Sequence, residues 1–461
     1  MQVLKVNYKK IFFVLFIVSL VFSMGCTKTN EDVYTKDGKL KIKFWHAMGG
    51  ILGKVLDDMI QDYNKSQSKY EVHTEFMGRY DILEQKIIAS VMAENTPDIA
   101  QMYEGVTMFL TRDKGEESLI DLKPYVDKWE GYKDIFEVFQ RNSTYDGGKI
   151  YSLPFNKSFP AMMYNKEILK LLDIEKPPKT WSELKIMGTR VHNEVVVDKE
   201  TSLPRLRREN DKEDIKAMMG YGFVVDPWTL EIMLLQNGGE MTNKDESQVK
   251  FDSEESIDAM QFLVDAVRDG WAYRTQGYNH QNDFSAQKVA FIITSSVSRK
   301  YMERKLNFPF SVAPIPMGKK RDVSIVSGTN VCIFSSASKK RQDGAWDFIK
   351  WFNSPKITAR WAMNTFYVPT RKSSLKLPMM KEWLKKTEGG DAAMLQLPIG
   401  ELEPRSSAWY RCRIVLRASM EKILSIVEKA SFKGDSREVI SENLKADTAK
   451  MNKELRKYIN K

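Results

Sequence analysis

The sequence predicts an α/β protein, and two observations support that class. Between residues 40 and 103, segments with alternating apolar residues are separated by segments in which apolar residues recur at helical spacing. The chain also has 461 residues, of which 42% are hydrophobic, so it is long enough to bury more than one core. The resulting order, β-α-β-α-β, favours a parallel sheet with right-handed crossovers.

The first three strands are predicted from alternation and from breaks. The first includes Leu40, Ile42 and Phe44, the second covers residues 70–76, and the third runs over residues 98–103 after a Thr-Pro break. Helical spacing predicts the two helices between them, with apolar positions at Leu52, Val55, Leu56, Met59, Ile60, Tyr63, Ile87, Ile88, Val91 and Met92. Ligands of parallel sheets bind beyond the carboxyl ends of the strands, so residues 45–46, 77–80 and 103–105 are predicted to border a site.

The middle of the chain, residues 160–305, is predicted to be rich in helices. Ser253 is a candidate N-cap, and Gly270 closes the same helix as a left-handed residue. Residues 284–294 are predicted to form a strand that ends in two serines. Residues 308–316 contain prolines and are predicted to form a strand that crosses between parts of the fold.

The amino terminus is predicted to be a processing signal rather than part of the fold. Residues 1–25 combine three lysines with an apolar stretch over residues 11–22, which is too short for a comfortable transmembrane helix. Gly25 directly precedes Cys26, a pattern that resembles a lipoprotein cleavage site, where the cysteine is acylated. The alternative is an ordinary signal peptide with a chance cysteine. Residues 26–38 are mostly polar and are predicted to form a tether.

Charge and cysteine content exclude several classes of function. The net charge is +10, but the basic residues are spread out and no nucleic-acid-binding motif is present, so no nucleic-acid partner is expected. No Cys/His spacing suits a metal, and neither a metal nor a cofactor is predicted. Cys332 lies in an apolar run and is expected to be a buried thiol, whereas a Cys332–Cys412 disulfide stays open.

The most informative segment is residues 153–184, LPFNKSFPAMMYNKEILKLLDIEKPPKTWSEL. It resembles the centre of the extracellular family 1 solute-binding proteins of bacterial ABC importers, and is closest to their glycerol-3-phosphate-binding and sugar-binding members. Further matching segments are residues 42–64, 78–87, 99–106, 306–316 and 345–373.

The resemblance implies a two-lobed, periplasmic-binding-protein-like type II fold with discontinuous lobes joined by a hinge. Lobe one would comprise residues 39–152 and 311–336, and lobe two residues 153–310 and 337–461. The implied protein is exported, anchored by lipid at the cell envelope, monomeric and not an enzyme. It would capture a sugar, glycerol 3-phosphate or a glycerophosphodiester in the cleft between the lobes and deliver it to ABC permease subunits.

The resemblance also implies a set of ligand-binding residues. They are Tyr80, Glu104, Ser158, Trp228, Ser295, Ser296, Gly328, Tyr367 and Arg413. The chemistry suits a polyol or its phosphate, because Glu104 can accept hydrogen bonds from hydroxyl groups and Trp228 offers a flat apolar face. Arg413 presents a donor fork that matches phosphate.

Each of these interpretations has a structural alternative. Glu104 could be a solvated loop acid, Trp228 a core aromatic, Arg413 a member of a structural ion pair, and Tyr367 a packing residue at the hinge. His46, one of four histidines, is expected to be a hydrogen-bonded structural residue rather than a ligand contact.

A rival function comes from a different class, a secreted carbohydrate-active enzyme such as a glycoside hydrolase. That chemistry needs a pair of carboxylates, and Glu104 has no evident partner in the sequence. Some residues depart from the family pattern, namely Lys157, Thr329, Asn330 and Phe366. Arg413, Lys157 and the matches around Tyr80 and Glu104 favour glycerol 3-phosphate or a glycerophosphodiester slightly, whereas the departures leave room for a sugar.

Overall fold

The computed structural model describes residues 31–113, 118–211 and 215–459, in which helices and strands mix as the α/β prediction expects. The strands in these ranges are β1 (Leu40–His46), β2 (Tyr70–Phe76), β3 (Ile99–Met102), β4 (Ser152–Pro154), β5 (Pro160–Asn165), β6 (Val195–Val197), β7 (Pro204–Leu206), β8 (Met219–Val224), β9 (Ala272–Thr275), β10 (Val289–Ser295), β11 (Phe310–Pro314), β12 (Ser324–Ile325), β13 (Asn330–Ile333) and β14 (Gly400–Glu401).

The first sheet has the strand order β2-β1-β3-β13-β4. β1 is parallel to both β2 and β3, which confirms the predicted β-α-β-α-β unit. β13 and β4 come from later in the chain, and β13 runs antiparallel to both of its neighbours. The carboxyl ends of β1, β2 and β3 therefore lie along one edge of this sheet.

The second sheet has the order β11-β5-β10-β8-β9. β5 runs antiparallel to β10 and β11, whereas β8 is parallel to β10 and β9. Every residue of β5 is buried, as expected for a central strand that is covered on both faces.

The helices surround both sheets. In the same described ranges they are α1 (Gly50–Ser66), α2 (Tyr80–Met92), α3 (Glu104–Met108), α4 (Lys123–Val126), α5 (Glu137–Ser143), α6 (Lys166–Leu171), α7 (Trp181–Glu194), α8 (Pro227–Gln236), α9 (Glu254–Arg268), α10 (Asn279–Ser285), α11 (Ser298–Met302), α12 (Lys339–Phe352), α13 (Pro355–Thr365), α14 (Pro378–Lys386), α15 (Trp409–Val427) and α16 (Ser436–Ile459).

Each sheet has its own hydrophobic core, and the two cores define two lobes. In the first lobe, α12 and α13 bring Phe348 and Trp361 into the core that also contains Phe44 of β1. In the second lobe, α9, α15 and α16 pack together with Trp271 and the strands of the second sheet. Burial of apolar surface in separate cores stabilises each lobe on its own.

The sheets and cores divide the chain differently from the predicted lobe boundaries in two places. Residues 311–336 are predicted to belong to lobe one, but β11 pairs along its length with β5 in the second sheet. Residues 337–461 are predicted to belong to lobe two, but α12 and α13 pack in the core of the first lobe. A strand or helix pattern does not say which sheet an element joins, because that depends on contacts with distant residues.

Local predictions around α9 are confirmed, and one strand is shorter than predicted. The backbone N–H of Ser256 donates to Ser253 Oγ at 3.3 Å, and Gly270 has φ +81°. The predicted strand over residues 284–294 is wrong at its start, because Phe284 and Ser285 end α10 and β10 begins at Val289. Gln287 between them has φ +52°, which marks a tight turn that a run of apolar residues does not reveal.

The predicted signal peptide, residues 1–25, and Cys26 lie outside the described residues. The predicted tether is shorter than expected at its carboxyl end, because Asp32 forms ion pairs with Lys340 and Arg341 at 3.7 and 3.6 Å. Tyr34 also forms a β-bridge with Leu40. None of the helices in the described ranges is long and apolar enough to cross a bilayer.

Both cysteines in the described ranges are free and buried. Cys332 of β13 lies in a cluster of the first lobe, and Cys412 of α15 lies in the core of the second. The open question of a Cys332–Cys412 disulfide is therefore answered, because the two thiols are in different cores.

Candidate functional site

The chain crosses between the two sheets at three places that lie side by side. Residues 155–159 connect β4 to β5, and residues 315–329 connect β11 to β13. The third crossing passes through β14, between α14 of the first lobe and α15 of the second. Ser158 and Ser327 exchange backbone hydrogen bonds of 3.0 and 2.9 Å, and Val326 N donates to Glu401 O at 2.9 Å. These three hydrogen-bonded segments, residues 155–159, 324–329 and 400–401, form the hinge.

Gly328 turns the second segment of the hinge. Its φ is +93°, and a Cβ at this position would lie 1.9 Å from the carbonyl oxygen of Asn156. Only glycine can adopt this conformation at so short a distance. The close approach brings Asn156 and Lys157 against the turn.

Asn156 joins side chains from separate elements. Its Nδ2 donates to the hydroxyl of Tyr80 at 2.8 Å and to that of Tyr367 at 2.9 Å, while its Oδ1 accepts from Thr329 N at 2.9 Å. The ring of Tyr367 stacks on Trp361 at 5.5 Å with an interplanar angle of 7°. Tyr80, the first residue of α2, and Tyr367 are thus held at the hinge by one buried amide.

A buried ion pair lies next to this amide. Lys157, which is 1% exposed, donates from Nζ to Glu104 Oε1 at 3.0 Å, to Asn142 Oδ1 at 2.7 Å and to Gly328 O at 3.3 Å. Asn330 Nδ2 also donates to Glu104 Oε1 at 3.0 Å. Glu104, the first residue of α3, is therefore not the solvated loop acid of the alternative interpretation.

Burial sets the protonation of the groups around this pair. It raises the pKa of Tyr80 and raises the pKa of Tyr103 well above the usual value, so both phenols stay neutral. Their rings lie 5.2 Å apart. Burial, together with the charges of Asp81 and Glu104, raises the pKa of Glu84 to about 7. Burial lowers the pKa of Lys157, against the opposing effect of Glu104.

The predicted serines divide into two environments. Ser295 Oγ donates to Ser158 Oγ at 3.3 Å beside the hinge. Ser296 Oγ instead donates to the carbonyl oxygen of Phe366 at 2.9 Å and is buried. Because that hydroxyl is already used within the protein, this geometry favours a structural role for Ser296.

Trp228 and Arg413 form a second group in lobe two, at the start of α8. Asp226 caps this helix, with Trp228 N donating to its carboxylate at 2.9 Å. Arg413 pairs with Asp226 and with Glu231, each at 3.0 Å, and also contacts the carboxylate of Glu403. The alternative interpretation of Arg413 as a structural ion pair therefore fits this geometry.

The two groups face each other across the lobes. Arg413 acts on the pKa of Tyr103, which it lowers against the larger effect of burial. A Cβ on Gly105 of α3 would lie 3.9 Å from the carbonyl oxygen of Ser406, just before α15. The structure thus brings Tyr80, Glu104, Ser158, Ser295, Gly328 and Tyr367 together at the hinge, with Trp228 and Arg413 in the opposing lobe. Their ligand contacts stay predictions.

The sequence missed several residues of this site as candidates. Asn156 and Asn142 carry the hydrogen-bond network, and Tyr103 lies between the two groups. Asn156 lies inside the Pro-Phe-Asn-Lys-Ser string that carries the family resemblance, and its position in that string could have indicated it as a site residue. Asn142 lies on α5 and has no sequence signal that points to the cleft.

His46 is a structural residue, as predicted. It is 3% exposed, and its Nδ1 accepts a hydrogen bond from Met48 N at 3.1 Å. Burial lowers its pKa to about 4, so the ring is neutral at neutral pH. Over the described ranges, no group of three or more His, Cys, Asp or Glu is placed to hold a metal ion.

A cavity of 310 Å³ lies beside the second group. It is lined by residues 239–242, 244 and 246 on one side and by residues 401–405 on the other, together with Leu235 and Arg321. Glu403 also contacts Arg413. Glu401, part of the hinge segment 400–401, is one of these lining residues, so the cavity lies where lobe two meets the hinge.

Comparisons with known proteins identify the family of this chain. Residues 58–388 match the family model described as bacterial extracellular solute-binding protein. The chain is 25% identical over 377 residues to the sn-glycerol-3-phosphate-binding periplasmic protein UgpB of Shigella flexneri, covering 77% of this chain and 80% of that protein. The UgpB of Yersinia pseudotuberculosis is 24% identical over 378 residues, with the same coverage.

Solved structures share the fold. The cyclic α-maltosyl-1,6-maltose-binding protein of Arthrobacter globiformis superposes with a TM-score of 0.73 at 22% identity, covering 91% of this chain and 100% of that one. UgpB of Mycobacterium tuberculosis in complex with glycerophosphocholine superposes with a TM-score of 0.72 at 20% identity, covering 92% and 100%. The family consists of binding proteins rather than enzymes, so the glycoside hydrolase alternative is not supported. With a two-lobed α/β fold and a family model that spans most of its length, the chain belongs to the bacterial extracellular solute-binding proteins.

Proposed function

We propose that this solute-binding protein is an exported, lipid-anchored subunit of an ABC importer. It captures a sugar, glycerol 3-phosphate or a glycerophosphodiester between its lobes and delivers it to permease subunits as a monomer. The curated relatives, which are named for glycerol 3-phosphate, and the maltosyl-maltose-binding and glycerophosphocholine-bound structures support this range of solutes.

The convergence of polar side chains at the hinge is the observation that carries this proposal. Asn156 and Lys157 lie in a segment that connects the lobes, where Asn156 holds Tyr80 and Tyr367 and Lys157 holds Glu104. A solute that contacts both lobes favours the closed arrangement by its differential affinity for that state. Rotation about a hinge of a few residues is a common way for such lobes to close.

The proposed contacts follow the two groups described above. Glu104, Tyr80 and Tyr367 would bind hydroxyl groups from lobe one and the hinge, with Ser158, Ser295 and the backbone at Gly328 beside them. Trp228 would stack on the apolar side of the solute, with Arg413 next to it. Ser296 is the weakest member of the set, because its hydroxyl is bound to Phe366 O.

Calorimetry on the purified full-length protein in detergent tests this proposal. The titrants are a panel of neutral saccharides, glycerol 3-phosphate and glycerophosphodiesters, and binding in the micromolar range, about −8 kcal/mol, is expected for at least one. Trp228→Ala should weaken it at least tenfold. Trp351→Ala is the matched control, because that tryptophan packs on Tyr63 in lobe one, away from the cleft. Failure of every titrant would contradict the proposal, and unchanged binding by Trp228→Ala would remove Trp228 from the site.

The lipid anchor is tested separately at Cys26. Cells that express the protein are labelled with a fatty-acid analogue, and we expect label on the wild type and on Cys332→Ala. The Cys26→Ala protein should lose both the label and its sedimentation with membranes. Label that persists without Cys26 would rule out acylation at this residue.

A further inference from the structure

Two cations that could bind a phosphate group, Lys157 and Arg413, lie within the two groups of predicted contact residues, and both are already held by the protein. Arg405, which lines the adjoining cavity, donates from its guanidinium to the carbonyl oxygens of Arg141 and Thr144. Lys157 has three N–H groups, and each has an acceptor, namely Glu104 Oε1, Asn142 Oδ1 and Gly328 O. With 1% of its side chain exposed, Lys157 presents no free donor to the cleft.

Arg413 is held still more strongly. Its guanidinium pairs with Asp226 and Glu231 at 3.0 Å each and contacts Glu403, so three carboxylates surround one cation. Arg417 shares Asp226 with it. Glu231 is fully buried behind the guanidinium, and its removal from Arg413 would leave a buried carboxylate without its partner.

Immediately around Arg413, acidic side chains therefore outnumber basic ones. Arg413 and Arg417 face Asp226, Glu231 and Glu403, and Lys157 faces Glu104. A phosphate monoester would bring a further negative charge to this cluster. It would have to displace a carboxylate from Arg413 or lie against the carboxylates, and like charges in contact repel.

The same groups suit uncharged hydroxyls well. Carboxylates accept strong hydrogen bonds from hydroxyl groups, and Glu104 keeps one oxygen, Oε2, outside the bonds to Lys157 and Asn330. The neutral phenols of Tyr80 and Tyr103 and the ring of Trp228 offer apolar faces to the C–H side of a ring.

We propose that this cleft takes an uncharged saccharide and discriminates against phosphate esters, because its own carboxylates occupy Arg413 and Lys157. The inference rests on the proposed function and selects one of its solute classes. It also separates this chain from the relatives that are named for glycerol 3-phosphate. Arg413 acts here as a positioning residue that orders the carboxylates of lobe two.

Competition between the two solute classes tests the inference. The full-length protein in detergent is titrated at pH 7.5 with uncharged mono-, di- and trisaccharides and with glycerol 3-phosphate. We expect at least one saccharide to bind at least 100-fold more tightly than glycerol 3-phosphate. Glycerol 3-phosphate that binds as tightly or more tightly would overturn the inference and leave the proposed function standing. A protein that binds neither class contradicts the proposed function, and the inference falls with it.

Glu403→Gln tests the role of the carboxylates directly. Removal of one negative charge next to Arg413 should shift the ratio of the two affinities at least tenfold towards glycerol 3-phosphate. Glu254→Gln is the matched control, because Glu254 pairs with Arg437 on the exposed side of α9 and should leave the ratio unchanged. An unchanged ratio in Glu403→Gln would overturn the assignment of discrimination to these carboxylates. If that variant does not fold, the wild-type titration still decides the inference.

Discussion

Gly328→Ala is expected to destabilise the protein by about 2 to 5 kcal/mol. Two contributions add at this position. An L-residue in the left-handed region costs about 1–2 kcal/mol, and Gly328 has φ +93°. The new Cβ would also lie 1.9 Å from Asn156 O and 3.1 Å from Lys157 Cα, so the backbone of the neighbouring segment must move. Overpacking of this kind costs about 1–3 kcal/mol.

Urea unfolding followed by circular dichroism measures this loss, with Gly147→Ala as the matched control. Gly147 has φ +69°, but a Cβ there would meet nothing within 4 Å, so the control contains the backbone cost alone. We expect about 1–2 kcal/mol for the control. The difference between the two variants isolates the contact with Asn156, and equal losses would refute the reasoning that this contact makes glycine necessary in the hinge.

Three further predictions concern stability. Lys157→Met should lower the free energy of unfolding in urea by about 3 kcal/mol, because Glu104, which is 18% exposed, loses its partner. Adding Glu104→Gln should recover part of this loss, and a larger loss in the double variant would contradict the explanation. The pKa of His46 is about 4 in the folded protein and 6.5 in the unfolded chain, so between these pH values the unfolded chain is protonated at His46 and the folded protein is not. The free energy of unfolding should therefore fall by up to about 3 kcal/mol as the pH drops from 6.5 to 4. His46→Asn should remove this part of the pH dependence. If the free energy of unfolding of His46→Asn falls between pH 6.5 and 4 as steeply as that of the wild type, the reasoning is wrong. Ser253→Ala should cost about 1 kcal/mol in thermal or urea unfolding through loss of the cap, and no change would show that the cap is dispensable.

Local features of the fold could be predicted from the sequence because they depend on near neighbours. The alternation of Leu40, Ile42 and Phe44 follows directly from the pleat of a strand with one face in the core. Ser253 and Gly270 were predictable for the same reason, since capping and the left-handed conformation involve residues within a few positions.

Features that depend on distant residues were not predictable. β11 has the strand pattern in either sheet, and only its pairing with β5 decides the lobe. The three carboxylates around Arg413 come from positions 226, 231 and 403, so no local motif indicates that the guanidinium is occupied. The family resemblance rests on the string that contains Asn156 and Lys157, but it could not show that Lys157 reaches Glu104.

The strand order of the first sheet has a consequence for how the chain folds. β13 lies between β3 and β4, although the whole sequence of β5 to β12 separates it from both. A chain that emerges from its amino terminus therefore cannot complete lobe one until residue 333 is available, after most strands of lobe two have already appeared. Such non-local pairing slows folding, since the entropy of closing a long loop is lost before the contacts form. We therefore expect the first sheet to close late, after the strands of the second sheet have been synthesised, and the second core to close later still, when α15 and α16 are available.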